Sequence, residues 1–171
     1  MFALNRKELV LSDGKQSTQL RKITQGNCGL IYRGVLGDRQ LAVKILDNVL
    51  EEYNHGIILN IASNRALFSH NAFVPLVHIQ QDGDWYIMEY FPSTDMARQK
   101  RESRGAICDS TKKRAITVYA EMLNHLHDNG TLFVDNKWSS LLLGEHDMMV
   151  CDYDCACPLD RIAGSIFNCL S

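Results

Sequence analysis

Three charged side chains lie inside or directly after apolar runs, and they constrain the fold of this chain more than any other feature. Lys44 interrupts one apolar run, while Asp135 and Asp152 each follow one directly. The runs are Leu41–Leu46, Leu132–Val134 and Met148–Cys151. A lone charge in a buried strand costs several kcal/mol unless it meets a partner or a ligand. One cation and two carboxylates are the charges that hold a metal-bound nucleotide phosphate, so these residues point to a phosphate site.

The composition is that of a globular protein with one domain or two small lobes. The chain has 171 residues, of which 46% are hydrophobic and 22% charged. Its net charge of −2 gives no indication of nucleic-acid binding. No apolar stretch of about 18 residues occurs, and the N-terminus lacks the core of a signal peptide. We therefore expect no membrane association and a cytoplasmic location.

Six cysteines occur, three of them close together at Cys151, Cys155 and Cys157. Without a secretion signal, free thiols are expected rather than disulfides. The spacing of the three matches no common zinc signature, which favours small buried thiols in a strand and the following turn.

The first half of the chain is predicted to form antiparallel strands and one helix. Residues 21–46 contain two β-rich runs joined by a tight turn at Gly37-Asp38. A helix is predicted from Asn48 to about Leu67, with an apolar face of Leu50, Tyr53, Ile57 and Ile61. Two further strands are predicted at Val74–Gln80 and at Trp85–Tyr90. The first is entered through Pro75, so it is expected to be an edge strand or to start irregularly.

The second half begins with a polar and basic stretch at residues 91–112, a linker or an exposed helix. A long helix is predicted next, with Ser110 as its N-cap and Gly130 just past its end. Short strands around 132–134 and 148–151 follow. The whole pattern predicts an α+β fold in two small lobes.

Seven segments, in chain order from about residue 20 to about residue 156, resemble the protein kinase superfamily. Thr24–Ile31 resembles the glycine-rich loop, Leu41–Lys44 the strand with the phosphate-binding lysine, and Ser69–Leu76 the stretch after the regulatory helix. Tyr86–Pro92 resembles the last small-lobe strand with the hinge, Leu123–Gly130 the end of the first long large-lobe helix, Phe133–Lys137 the catalytic loop, and Asp152–Asp154 the metal-binding motif.

The resemblance implies a nucleotide site in the first lobe. Gly26 and Gly29 would let backbone amides approach the phosphates of ATP, and Lys44 would contact those phosphates. Backbone groups near Glu89 and Phe91 would receive the adenine.

The resemblance also implies catalytic roles in the second lobe. Asp135 would orient or deprotonate the acceptor hydroxyl, Lys137 would steady the transferring phosphate, and Asp152 would hold Mg²⁺.

Several positions depart from the family pattern. The usual His-Arg-Asp is Phe133-Val134-Asp135, the metal-binding Asn falls at Ser140, and the last Gly of the metal motif is Asp154. The helix glutamate expected to pair with Lys44 has no clean match, since Glu51-Glu52 lies early. Lys44 is therefore expected to be poorly positioned, and a second Mg²⁺ site is not expected.

The variant pattern resembles the protein O-mannose kinase group in three segments. These are Gly130–Asp135, Cys151–Asp154 and Glu51–Gly56. Kinases of that group work in the secretory pathway behind a membrane anchor, and we expect no such anchor in this chain.

The chain stops soon after Asp152, without an activation segment. We therefore expect a single kinase-like domain over residues 1–171, with an N-lobe to about residue 90 and a truncated C-lobe from about residue 91. Truncation would expose apolar helix surface around Tyr119, Met122 and Leu126, and such a surface would recruit a protein partner or a second copy.

Three interpretations of function remain open from the sequence. The first is an ATP- and Mg²⁺-dependent phosphotransferase that phosphorylates a hydroxyl acceptor. The second is a pseudokinase that binds a nucleotide or a protein without turnover. The third is a fragment of a longer protein.

Overall fold

The computed structural model describes residues 1–26, 29–47, 51–92, 94–95, 99, 101–102, 107–134, 137–144 and 147–159. The chain divides into two compact units. The first unit comprises Met1–Ser63 and Pro75–Tyr90, and the second comprises Asn64–Val74 and Phe91–Ser171. Each unit has its own core and is described separately.

The described residues of the first unit form two antiparallel sheets and one helix. The smaller sheet has the order β1-β2-β3, with β1 at Ala3–Asn5, β2 at Val10–Ser12 and β3 at Ser17–Gln19. The larger sheet has the order β4-β5-β6-β8-β7. Its strands are β4 Arg21–Gly26, β5 Gly29–Leu36, β6 Arg39–Leu46, β7 Leu76–Ile79 and β8 Trp85–Glu89.

The predicted hairpin at Gly37-Asp38 is confirmed. Leu36 and Arg39 are the last paired residues of β5 and β6, and Gly37 has a φ of 60°. A positive φ is easily adopted by glycine because it lacks a Cβ atom. The predicted edge strand is confirmed as well, since β7 lies at the end of the five-stranded sheet and begins just after Pro75.

The core of the first unit lies on one face of the larger sheet. Its buried members come from both sheets and are Leu11, Leu20, Tyr32, Leu36, Leu41, Val43, Ile45, Trp85 and Ile87. Residues 43 and 45 alternate with Lys44 along β6, so Lys44 belongs to the opposite face.

Helix α1 spans Glu51–Ser63 and packs against β7. It ends before the predicted limit, because Leu67–Ser69 forms a separate 3₁₀ turn. The predicted apolar face is wrong in part. Tyr53 is 58% exposed, whereas Asn54, Ile58 and Ile61 are buried, so the sheet packs against a stripe rotated by about one residue from the predicted one.

Short strands surround one long helix in the second unit. Two small antiparallel sheets have the orders β10-β13 and β12-β11-β9. Their strands are β9 Thr94–Asp95, β10 Thr131–Phe133, β11 Leu141–Leu143, β12 Met148–Val150 and β13 Ala156–Pro158.

Helix α2 spans Asp109–Asp128 and contacts β10 and β12. It is preceded by Cys108 as the N-cap residue, so the predicted N-cap at Ser110 is wrong by two residues. Gly130 has a φ of 67°, and its N–H donates to the carbonyl of His127 at 2.9 Å, as the predicted left-handed helix end requires.

Three aromatic rings form the centre of the second unit. Tyr153, Phe68 and Phe73 are essentially fully buried, with ring centroids 5.0 to 5.9 Å apart. The Tyr153 hydroxyl donates to the carbonyl of Val74. The backbone of Val74 in turn donates to the carbonyl of Val150 at 3.0 Å, which ties this cluster to β12.

The predicted exposed face of α2 is partly wrong. Met122 and Leu126 are fully buried, because they pack inward with Ala115 toward the short strands. The exposed apolar surface lies instead around Ile116, which is 64% exposed, and Trp138, which is 46% exposed. Together they border a groove of about 400 Å³, the α2 groove, lined by Ile116, Tyr119, Ala120, Leu123, Lys137 and Trp138.

Within the part of the chain that the structure describes, no helix is long and apolar enough to cross a membrane.

Candidate nucleotide and metal site

The glycine-rich segment forms the hairpin between β4 and β5. Gly26 pairs with Gly29, and residues 27–28 between them lie outside the described residues. Gly29 has a φ of 150°, and a Cβ atom there would lie 2.2 Å from the carbonyl oxygen of Ile45 on β6. A Cβ at Gly26 would meet nothing closer than the Gly29 carbonyl oxygen at 4.0 Å. The fold therefore requires glycine at position 29, whereas Gly26 is not constrained by close neighbours.

Lys44 lies in the middle of the sheet and is only 5% exposed. Its cross-strand neighbours are Ile31 on β5 and Tyr86 on β8. The Lys44 Nζ atom lies 6.0 Å from the centroid of the Tyr86 ring, which is near the outer limit of a cation–π contact. A buried ammonium carries a desolvation cost that the sheet alone does not require, since an apolar side chain would fill the same position.

The two predicted adenine-site residues are held differently. The Glu89 N–H ends β8 by donating to the carbonyl of Pro75 at 2.9 Å, and the Glu89 side chain is exposed, 3.7 Å from Arg39. Phe91 is half-buried, and its ring lies against Gly144 so closely that a Cβ there would be 2.7 Å from Phe91 Cζ. The Glu89 N–H is thus already engaged within the first unit.

Asp152 follows β12 and is bonded to a serine. The Ser140 hydroxyl donates to Asp152 Oδ2 at 2.7 Å, and Ser140 is fully buried. The register of β11 against β12, with Leu141 opposite Val150, places Ser140 beside this carboxylate. The sequence identified both positions but not the hydrogen bond between them.

Lys137 borders the α2 groove. Its carbonyl accepts a hydrogen bond from the Tyr119 hydroxyl at 2.6 Å, which fixes the backbone at the start of the 3₁₀ turn Trp138–Ser140. The predicted catalytic Asp135 lies outside the described residues, so the structure does not place it relative to Lys137.

The donor chemistry of Asp152 fits Mg²⁺. In nucleotide sites Mg²⁺ is bound through one or two carboxylates and the phosphates themselves. Asp152 supplies such a carboxylate. Among the described residues, no group of three or more His, Cys, Asp or Glu side chains could hold a metal ion. The three cysteines at 151, 155 and 157 therefore do not belong to such a group within the described residues. Cys151 and Cys155 are buried free thiols, as the sequence predicted.

One reactive group was missed by the sequence interpretation. Cys108 is exposed and free, and its Sγ lies 3.2 Å from Ser110 Oγ and 3.0 Å from Thr111 Oγ1. These hydrogen bonds, that of Ser110 first, lower the pKa of the Cys108 thiol to about 7. The spacing Cys-x-Ser-Thr at a helix start is the pattern that could have revealed it.

A five-stranded antiparallel sheet with a buried lysine, joined in sequence to a helical unit with a strand-end carboxylate, defines an α+β fold of the protein kinase class. The protein kinase domain family matches residues 17–164, and the chain belongs to that family. None of the curated proteins compared with the chain matches it.

Proposed function

We propose that this protein binds ATP with Mg²⁺ and transfers the γ-phosphate to a hydroxyl acceptor. The observation that carries the proposal is the burial of Lys44 in the central strand β6 of a protein kinase domain. This lysine lies in the strand that resembles the strand with the phosphate-binding lysine of the family, and a nucleotide phosphate is the anion that this fold class binds.

The other predicted residues receive roles within the same proposal. Asp152 would bind Mg²⁺, and its carboxylate would compensate the charge of the ion. Gly26 would leave room for backbone contact with the phosphates, and Asp135 would orient the acceptor hydroxyl. Lys137 would add a positive charge for the transferring group.

A nucleotide-binding pseudokinase is the second candidate. The observation that favours it is the burial of Ser140 and the commitment of its hydroxyl to Asp152. A fully buried serine is a poor substitute for an amide ligand, so metal binding would rest on few groups. A pseudokinase would act by binding another protein. The exposed α2 groove would then receive an apolar segment of that partner.

Thermal unfolding with Mg-ATP tests nucleotide binding. At a ligand concentration of about 100 Kd, binding stabilises the folded state by about 2.7 kcal/mol. For a chain of this size that corresponds to a rise in Tm of about 5–10 °C. We expect the rise in the wild type and its loss in Lys44→Met and Asp152→Asn.

Two exposed positions provide matched controls for that experiment. Lys15→Met and Asp147→Asn make the same chemical changes at exposed sites, and they should retain the full rise in Tm. An unchanged Tm in the wild type, or an equal rise in all four variants, would contradict nucleotide binding at this site.

Transfer of phosphate from labelled ATP separates the two candidate functions. The resemblance to the O-mannose kinase group makes a mannose-containing glycan the first acceptor to test, with a Ser/Thr peptide as the second. Transfer that disappears in Asp135→Asn supports the phosphotransferase. Binding of Mg-ATP without transfer to either acceptor supports the pseudokinase.

A further inference from the structure

The carboxylate of Asp152 accepts a hydrogen bond from the hydroxyl of Ser140. Ser140 Oγ lies 2.7 Å from Asp152 Oδ2, and the exposed fraction of Ser140 is 0%. A hydroxyl that donates to an ionised carboxylate at this distance makes a charge-assisted bond, roughly twice as strong as a neutral one. Asp152 itself is half-buried, so the bond is only partly weakened by water.

The backbone around Ser140 leaves this side chain little freedom. Its N–H donates to the Lys137 carbonyl at 3.0 Å. Its own carbonyl accepts from the Cys151 N–H at 3.0 Å and from Cys151 Sγ at 3.5 Å. The backbone of Ser140 is therefore hydrogen-bonded on both sides of its Cα atom. One of these bonds is to Cys151, the residue before Asp152.

We propose that Ser140 is a positioning residue for Asp152, which holds the plane of the carboxylate so that the group can bind a divalent cation. A hydroxyl has a single proton, and here that proton is donated to Asp152. The bond therefore fixes one oxygen of the proposed metal ligand, and the role of Ser140 that we infer is to act on that ligand. This inference rests on the proposed Mg²⁺ and nucleotide site.

Loss of a residue that orients a metal ligand typically lowers metal affinity by about 10–100-fold. The test uses Mn²⁺ as the probe, because the free ion is counted directly by electron paramagnetic resonance. Mn²⁺ is titrated into the full chain in the presence of a non-hydrolysable ATP analogue. We expect Ser140→Ala to raise the Kd for Mn²⁺ by about tenfold or more.

Two further variants separate positioning from folding. Ser140→Thr keeps a hydroxyl, and its Kd should stay within a few-fold of the wild-type value. Ser140→Cys keeps the shape of the side chain but has only a weak donor, and it should behave like Ser140→Ala. The neighbouring exposed Ser139 provides the control, since Ser139→Ala should leave the Kd unchanged.

The outcomes distinguish this inference from the proposed function. If the wild type binds neither Mn²⁺ nor the analogue, the proposed function fails. If the wild type binds both and Ser140→Ala and Ser140→Cys bind Mn²⁺ equally well, the positioning role is refuted while the nucleotide site stands. A lower Tm in Ser140→Ala with unchanged Mn²⁺ affinity would mean a purely structural role and would also refute the inference.

Discussion

Gly29 offers the sharpest test of how the glycine-rich hairpin is built. The family pattern associates its glycines with close approach to phosphates, but the structure gives Gly29 a reason within the protein. A Cβ at this position would lie 2.2 Å from the Ile45 carbonyl oxygen and 3.0 Å from Leu46 Cα. Both neighbours are backbone atoms at the end of β6, so they cannot move aside without distorting the middle strand of the sheet.

The expected cost of Gly29→Ala has two parts. Holding a residue other than glycine at an unfavourable φ costs about 1–3 kcal/mol. Overpacking against a fixed neighbour costs about 1–3 kcal/mol more. We therefore expect the free energy of unfolding to fall by about 2–6 kcal/mol.

Gly26→Ala is the matched control in the same hairpin. Gly26 is not one of the described glycines that have a positive φ. A Cβ atom at this position would lie 4.0 Å from its nearest neighbour. Its substitution should change the free energy of unfolding by no more than about 1 kcal/mol, and in the stabilising direction if the backbone is compatible.

Equilibrium unfolding in urea measures both variants. In a Trp138→Phe background the fluorescence reports on Trp85, which belongs to the core cluster of the first unit. A similar loss of stability in both glycine variants, or none in Gly29→Ala, would refute the argument from the β6 backbone. A loss of stability in Gly29→Ala alone would show that this position requires glycine because of its contact with the β6 backbone.

Two further predictions concern the second unit. Tyr153→Phe should lower the free energy of unfolding by about 1–3 kcal/mol in urea titrations, because the buried Val74 carbonyl loses its donor; the exposed Tyr53→Phe should change it by less than about 0.5 kcal/mol, and equal effects would contradict this account. The Cys108 thiol, whose pKa is lowered to about 7, should react with iodoacetamide at a rate that rises with pH through about 7 and then levels off, since the thiolate is the nucleophile. Ser110→Ala should shift the midpoint of this profile upward, as mass spectrometry of the alkylated peptide would show, and a wild-type midpoint near the ordinary thiol range would refute the prediction.

Much of the fold could be predicted where one local rule decides the outcome. Gly37-Asp38 specifies a tight turn, Pro75 an edge position, and Gly130 a left-handed helix end, each through its own backbone geometry. The strands β1–β3 were not predicted, because two of them lack an apolar run: Ser17–Gln19 is entirely polar, and Ala3–Asn5 has one large apolar residue.

The buried face of α1 could not be predicted, because the sequence offers two overlapping stripes. Both contain Ile61, and they differ in whether Tyr53 or Asn54 points inward. Local apolarity favours tyrosine, but packing against β7 decides for Ile58 and Asn54, and this contact is not encoded within the helix.

The candidate site shows the same division. Lys44 and Asp152 could be selected as candidates because a charge at the centre or the end of an apolar run is visible in the sequence. The hydrogen bond from Ser140 could not, since it depends on the register between β11 and β12. Asp135 was identified in the same way as Asp152, but it lies outside the described residues and its role stays a prediction.

The side chain next to Asp152 has a consequence for how variants of this protein would be interpreted. Tyr153 belongs to the aromatic centre of the second unit, packed on Phe68 and Phe73 and bonded to Val74. A change in any of these would displace Asp152 without touching a ligand. In a mutational scan scored by the proposed phosphate transfer, Phe68 would therefore be ranked with the residues of the proposed site, and a parallel scan of protein abundance would separate the two groups.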